Sequence, residues 1–63
     1  MYKTVYIDYM QGGYEIQTGN VRQLERIINE WKTSGYEFVS MTAVPSPIES
    51  SNCNFVLIFK SEV

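Results

Sequence analysis

The sequence of 63 residues contains no histidine and only one cysteine, Cys53. Histidine is the residue that most often activates a nucleophile in catalysis, and with cysteine it supplies most zinc ligands. Its absence leaves Ser40, Ser46 and Cys53 without the usual general base, and one thiol cannot form an internal disulfide. We therefore expect no catalytic residue of this type, no metal site and no cofactor.

Charged residues are also few. The sequence contains five Lys and Arg residues and seven Asp and Glu residues, which give a net charge of −2. A chain with this balance gains no general electrostatic attraction to duplex nucleic acid. No apolar run is long enough to cross a bilayer, and the first residues lack the apolar stretch of a signal peptide. We expect neither a nucleic-acid duplex nor a membrane as partner, and the free thiol favours a cytoplasmic location.

Three segments have the composition of β-strands, rich in β-branched and aromatic residues. The first spans residues 2–10 and alternates, with Lys3, Val5, Ile7 and Tyr9 on one face. The paired glycines at 12 and 13 end it, and we predict a loop or a brief extended segment over residues 14–17. The second strand spans 36–44 and the third spans 53–60, and a proline-containing loop from Pro45 to Ser51 separates them.

One helix is predicted over residues 21–34, from an apolar stripe at three- and four-residue steps that is formed by Val21, Leu24, Ile27, Ile28 and Trp31. Asn20 is a suitable N-cap, with Gln23 placed to complete a capping box. Gly35 is suited to the left-handed position that follows a helix C-terminus.

The predicted fold is α+β, a single βαββ domain over residues 1–63 with one helix on one face of a three-stranded antiparallel sheet. The most apolar strand belongs at the centre of a sheet, which favours the third strand and the order 1-3-2. However, the two later strands are apolar on both faces, and one helix covers only one of them. A domain this small also gains stability from a partner subunit. We therefore predict a homo-oligomer, dimer-based, whose interface contains Val39, Met41, Val56 and Ile58.

The helix-to-strand corner resembles that of a known family. The run from Leu24 through Gly35 to Tyr36-Glu37-Phe38-Val39-Ser40, followed by the closing strand that ends in Phe59-Lys60, is similar to the domain of unknown function family 4177. The resemblance covers most of the chain, although Tyr36 stands where tryptophan is usual and the proline loop is distinctive. It implies a βαββ fold in short bacterial or phage proteins without assigned catalytic residues.

The candidate ligand-binding residues are tyrosines, which suit stacking and interfaces, and two arginines, whose guanidinium groups match phosphate. They are Tyr6, Tyr9, Tyr14, Arg22, Arg26 and Tyr36. Each set has a structural alternative. The tyrosines also suit strand formation and subunit packing, and nearby Glu25 and Glu30 favour a solvated, salt-bridged surface around the arginines.

We predict from these features a small non-enzymatic, homo-oligomeric binding protein that sequesters a nucleotide-derived ligand at subunit interfaces. An alternative is a protein-binding inhibitor or adaptor that acts through an aromatic patch or a sheet edge. A hydrolase or magnesium site that uses Asp8 and Glu37 is a third hypothesis, although Glu37 also suits a charge on a sheet edge.

Overall fold

The computed structural model describes residues 1–46 and 52–61, so the predicted loop from Pro45 to Ser51 lies outside the described residues from position 47 onward. Three strands, a 3₁₀ turn and two helices follow one another along the chain. They are β1 (Tyr2–Ile7), the 3₁₀ turn (Tyr9–Gln11), α1 (Gly13–Gln17), α2 (Arg22–Thr33), β2 (Tyr36–Pro45) and β3 (Cys53–Ser61).

The three strands form one antiparallel sheet in the order β1-β3-β2, which confirms the predicted fold class and topology. On β1, Val5 lies opposite Leu57 and Ile7 lies opposite Phe55. On β2, Phe38 lies opposite Phe59. Because paired residues share a face, these six side chains belong to one side of the sheet, which we call the inner face. The opposite side is the outer face.

A β-bulge interrupts the pairing of β2 with β3 between Phe38 and Ser40. Val39 and Ser40 together oppose Ile58, so β2 contains one extra residue at this point. An extra residue moves every later side chain to the other face. Met41 consequently lies opposite Leu57 on the inner face, and our prediction that Met41 shares a face with Val56 and Ile58 is wrong.

The core is formed on the inner face, mainly by β3. Leu57 and Phe59 are fully buried, and Phe55 and Ile7 are 7% and 5% exposed. The ring of Trp31 from α2 stacks on Phe59 with centroids 5.2 Å apart. The partly buried side chains that complete the core include Ile16 from α1 and the apolar stripe of α2, Leu24, Ile27, Ile28 and Trp31. The stripe therefore packs as its spacing predicts.

The ends of α2 have the sequence signals expected of them. The side-chain oxygen of Asn20 accepts a hydrogen bond from the backbone N–H of Arg22 at 3.1 Å, which satisfies one of the free donors of the first turn. At the other end, Gly35 has a φ of +91° and donates to the carbonyl of Lys32. That left-handed conformation is one that glycine adopts readily.

The chain after β1 differs from the sequence prediction, because the strand ends at Ile7 and residues 8–17 turn back over the sheet. The Asp8 carboxylate accepts from the Met10 N–H and starts the 3₁₀ turn. Buried Asn54 accepts from the Tyr9 N–H at 2.7 Å, and the Gln17 side chain accepts from the Cys53 N–H at 2.9 Å. These bonds join the segment to β3, and the predicted loop over 14–17 is the short helix α1.

Gly13 allows this close approach between α1 and the sheet. A Cβ atom at Gly13 would lie 2.9 Å from the Cys53 carbonyl oxygen and 3.1 Å from the Asp8 carbonyl oxygen. Because both neighbours are backbone atoms, a larger residue would push α1 away from β3. Gly13 therefore makes room for the packing of α1, whereas β1 ends at Ile7, before the glycine pair that we predicted to end it.

Two parts of the sheet remain uncovered within one chain. The backbone of α2 lies closest to β2 and that of α1 lies closest to β3, but the residues of β2 from Val39 to Pro45 are all exposed. Within residues 1–46 and 52–61, no helix packs on the outer face. Its tyrosines Tyr2 and Tyr6 are 62% and 59% exposed, and Val39 is 50% exposed.

Candidate functional site

An open cavity of about 320 Å³ lies between α1 and the first turns of α2. The residues that line it carry polar or charged groups and include both of the arginines that the sequence singled out. The lining residues are Glu15, Asn20, Arg22, Gln23 and Arg26. Its volume is at the lower end of the range for small-molecule pockets.

Helical spacing places the three α2 residues of the lining together. Arg22 and Arg26 are four residues apart and therefore lie one above the other on the same side of the helix. The Gln23 side chain lies beside the glycine turn. A Cβ atom at Gly12 would be only 3.1 Å from the Gln23 amide nitrogen. Gly12 has a φ of +129°, so the turn depends on glycine both for its conformation and for room beside Gln23.

The electrostatics of the cavity favour an anion at its α2 side. The cavity lies at the N-terminus of a twelve-residue helix, where the backbone N–H groups add partial positive charge. Arg26 forms a long ion pair with Glu30 at 3.7 Å, and both side chains are more than two-thirds exposed, so this contact is weak and easily exchanged. Arg22 forms no ion pair within the part of the chain that the structure describes.

Glu15 gives the cavity a second chemical character. It lies in α1, opposite the two arginines, and its carboxylate can only accept hydrogen bonds when ionised. The amides of Asn20 and Gln23 both donate and accept. The lining can therefore hold an anionic group and an N–H donor of the same ligand. A second depression, of about 210 Å³ and lined by Glu30, Trp31 and Ser34, contains no arginine.

The structure places the predicted tyrosines in three different regions. Tyr9 and Tyr14 contact each other edge to face, with centroids 5.8 Å apart, and Tyr14 precedes the cavity residue Glu15. Tyr36 packs against Trp31 at 5.1 Å near the other end of α2, about 14 Å along the helix axis from Arg22. Tyr6 lies on the outer face of the sheet. One cavity therefore brings together Arg22 and Arg26, with Tyr9 and Tyr14 nearby.

The residues considered for catalysis are dispersed. Asp8 serves the 3₁₀ turn, Glu37 lies opposite Lys60 on the sheet, and Cys53 lies partly buried at the start of β3. No group of three or more acidic or cysteine side chains converges as a metal site within residues 1–46 and 52–61. β2 is an edge strand, as the interpretation of Glu37 as an edge charge requires.

The sequence does not indicate Glu15 as a lining residue. It predicts Asn20 and Gln23 as helix caps and not as residues of a cavity. Asn20 does cap α2, whereas the Gln23 side chain lies against Gly12. Their joint position depends on α1, which the sequence did not reveal as a helix. A polar residue that follows a glycine pair and precedes a helix cap is a weak signal by itself.

Comparison with known proteins found no matching family model, no matching curated protein and no matching solved structure. The resemblance to the domain of unknown function family 4177 therefore stays a prediction. Among the helices that the structure describes, none is both long and apolar enough to cross a membrane.

Proposed function

We propose that this chain is a non-enzymatic binding protein that works as a homo-oligomer and captures a small anionic, nucleotide-derived ligand. The observation that carries the proposal is the cavity in which Arg22 and Arg26 meet the N-terminus of α2. Guanidinium groups form strong, often paired hydrogen bonds with phosphate, and the helix end adds favourable partial charge. No histidine is available in the sequence as a general base.

The opposite side of the cavity suits the rest of such a ligand. A nucleobase presents N–H donors, which the Glu15 carboxylate can accept. It also has an aromatic face, and Tyr14, the residue before Glu15 in α1, is 54% exposed and offers a ring for stacking beside the cavity. The cavity is open on one side, so a ligand can enter it from solvent. A cytoplasmic location agrees with the single unpaired thiol.

The test is mass spectrometry of small molecules that heat releases from the protein purified from its natural host. We expect an intact phosphate-containing nucleotide derivative. The same molecule, added to ligand-free protein, should raise the melting temperature, by an amount that grows with the logarithm of its concentration relative to its dissociation constant. An altered product would indicate an enzyme. If the purified protein contained no phosphate compound, the proposal would be contradicted.

Variants of the two arginines test whether the ligand occupies this cavity. Replacing both, as Arg22→Gln with Arg26→Gln, removes two charge-assisted contacts of about 1.5–3 kcal/mol each and should weaken binding more than a hundredfold. Lys32→Gln is the matched control, because Lys32 is an exposed cation in the last turn of the same helix. Equal weakening by the control would show a general charge effect and not a site.

A protein-binding inhibitor or adaptor is the second candidate, favoured by the free edge of β2. This edge strand is ten residues long and exposed from Val39 to Pro45, so an extended segment of another protein could pair with it. Purification would then yield a stoichiometric host protein and no metabolite. An Ala43→Pro variant would remove a backbone N–H that points to the free edge of β2, because the Ser46 N–H donates to the Asn52 carbonyl and the direction of the N–H groups alternates along the strand. It should abolish that capture while leaving the arginine cavity unchanged.

A further inference from the structure

The outer face of the sheet contains very little charge for a surface open to water. Apart from Asn54, which lies opposite Val44 and is buried, it is formed by eleven side chains, of which only Glu37 and Lys60 are charged. These two lie directly opposite each other on neighbouring strands, so the face is neutral as a whole. The other nine are Tyr2, Thr4, Tyr6, Val39, Ser40, Thr42, Val44, Val56 and Ile58.

The polar and apolar groups on this face have the distribution of a protein interface. Val56 and Ile58 on the central strand form its middle, with Tyr6 and Val39 beside them on the edge strands. The Glu37–Lys60 pair lies at one end, where β2 begins and β3 finishes. Interfaces typically have an apolar, charge-depleted centre and a polar rim.

The area available is enough for a stable dimer. Aromatic side chains bury about 150–250 Å² each, so Tyr2 and Tyr6 at 62% and 59% exposure each offer roughly 100–150 Å². With the other nine residues, the face offers on the order of 700 Å², close to the ~800 Å² that each partner contributes to a standard interface. The inner face cannot serve in the same way, because the helices already cover its centre.

We propose that a second copy of this chain packs on the outer face, so that two sheets lie face to face about a two-fold axis. A surface that meets its own copy must not repel itself, and a neutral face whose one acid and one base are matched satisfies this condition. Val56 and Ile58 of both copies meet at the centre. Met41 takes no part, because the bulge turns it to the inner face. The outer face is thus the contact surface of the homo-oligomer in the proposed function, and only the oligomeric state is taken from that proposal.

The experiment places a lysine on the face without disturbing the fold. Thr4 and Thr42 are exposed on the two edge strands, so Thr4→Lys and Thr42→Lys should fold normally but bring two like charges into the dimer interface. Asn29→Lys is the matched control, because Asn29 is exposed on α2. Sedimentation equilibrium measures the dissociation constant, and circular dichroism checks the fold of each variant.

We expect a dimer at micromolar concentration for the wild type and for Asn29→Lys, and at least a tenfold higher dissociation constant for each threonine variant. A wild-type monomer would overturn the proposal, and so would a dimer of unchanged strength in both threonine variants. Ligand release from the same variants separates the two claims. A threonine variant that loses the ligand but keeps the dimer would contradict only the arginine cavity as the ligand site. A variant that keeps both the dimer and the ligand would contradict only the outer face as the dimer interface.

Discussion

The two faces of β3 carry side chains of similar apolar character in very different surroundings. Leu57 and Phe59 on the inner face are fully buried, whereas their neighbours Val56 and Ile58 on the outer face are only partly buried. The strand is the same, and the difference comes from the helices, which cover one side only. A strand that is apolar on both faces in a two-layer domain therefore predicts a further contact beyond the chain itself.

The largest effect should come from truncating the inner face. Phe59→Ala removes a fully buried ring that contacts Trp31 and Phe38, and should lower the free energy of unfolding by about 3–5 kcal/mol. Ile58→Ala, one residue away on the outer face, should lower the free energy of unfolding by less than half as much in dilute protein, where the proposed dimer would be dissociated. Urea unfolding measures both. Equal losses would mean that the two faces are equally buried and would remove the comparison.

An intermediate effect is expected from moving side chains between the faces. Deleting Thr42 from the regular part of β2 shifts the strand by one residue on one side of the deletion. Either the later residues or Ser40 and Met41 then move to the wrong face, which should lower the free energy of unfolding by roughly 2 kcal/mol. Deleting Val39 removes only the extra residue of the bulge and leaves Phe38, Ser40 and Met41 on their present faces. That deletion should change stability by less than about 1 kcal/mol. The reverse order in urea unfolding would contradict the bulge at Val39.

The smallest effect should come from the charged pair on the outer face. Glu37 and Lys60 are both exposed, and exposed pairs across two strands contribute about 0.2–1 kcal/mol. Glu37→Gln should therefore lower the melting temperature only slightly in dilute protein, with Glu25→Gln on the exposed side of α2 as control. At concentrations where the dimer forms, Glu37→Gln should weaken association more than the control does. Equal behaviour at all concentrations would exclude the pair from the interface.

The sequence predicts the sheet order well, because the information is local and strong. The run Phe55-Val56-Leu57-Ile58-Phe59 is apolar throughout and belongs at the centre of a sheet, and the Asn20 and Gly35 signals place the ends of α2 to within a residue or two. These features depend on composition and on helix ends, both of which are read from neighbouring residues.

The bulge and α1 could not be predicted in the same way. Phe38, Val39 and Met41 are all apolar, so alternation does not reveal where the extra residue lies. The turn after Ile7 is fixed by the bonds of Asn54 and Gln17, whose partners are 45 and 36 residues away in the sequence. Glu15 lines the same cavity as the arginines only because those distant bonds hold α1 in place. The sequence therefore predicts the arginine side of the cavity but not the side that α1 forms.

The position of β3 after β1 and β2 in the sequence, and between them in the sheet, affects how the protein is made. β1 and β2 each pair with β3 and not with each other, so neither has a sheet partner until β3 leaves the ribosome. Only α2, whose bonds and caps are local, can form earlier, and a single helix of this length is marginal by itself. Folding during synthesis is therefore delayed until β3 emerges, and the apolar β2 is exposed to other nascent chains until then.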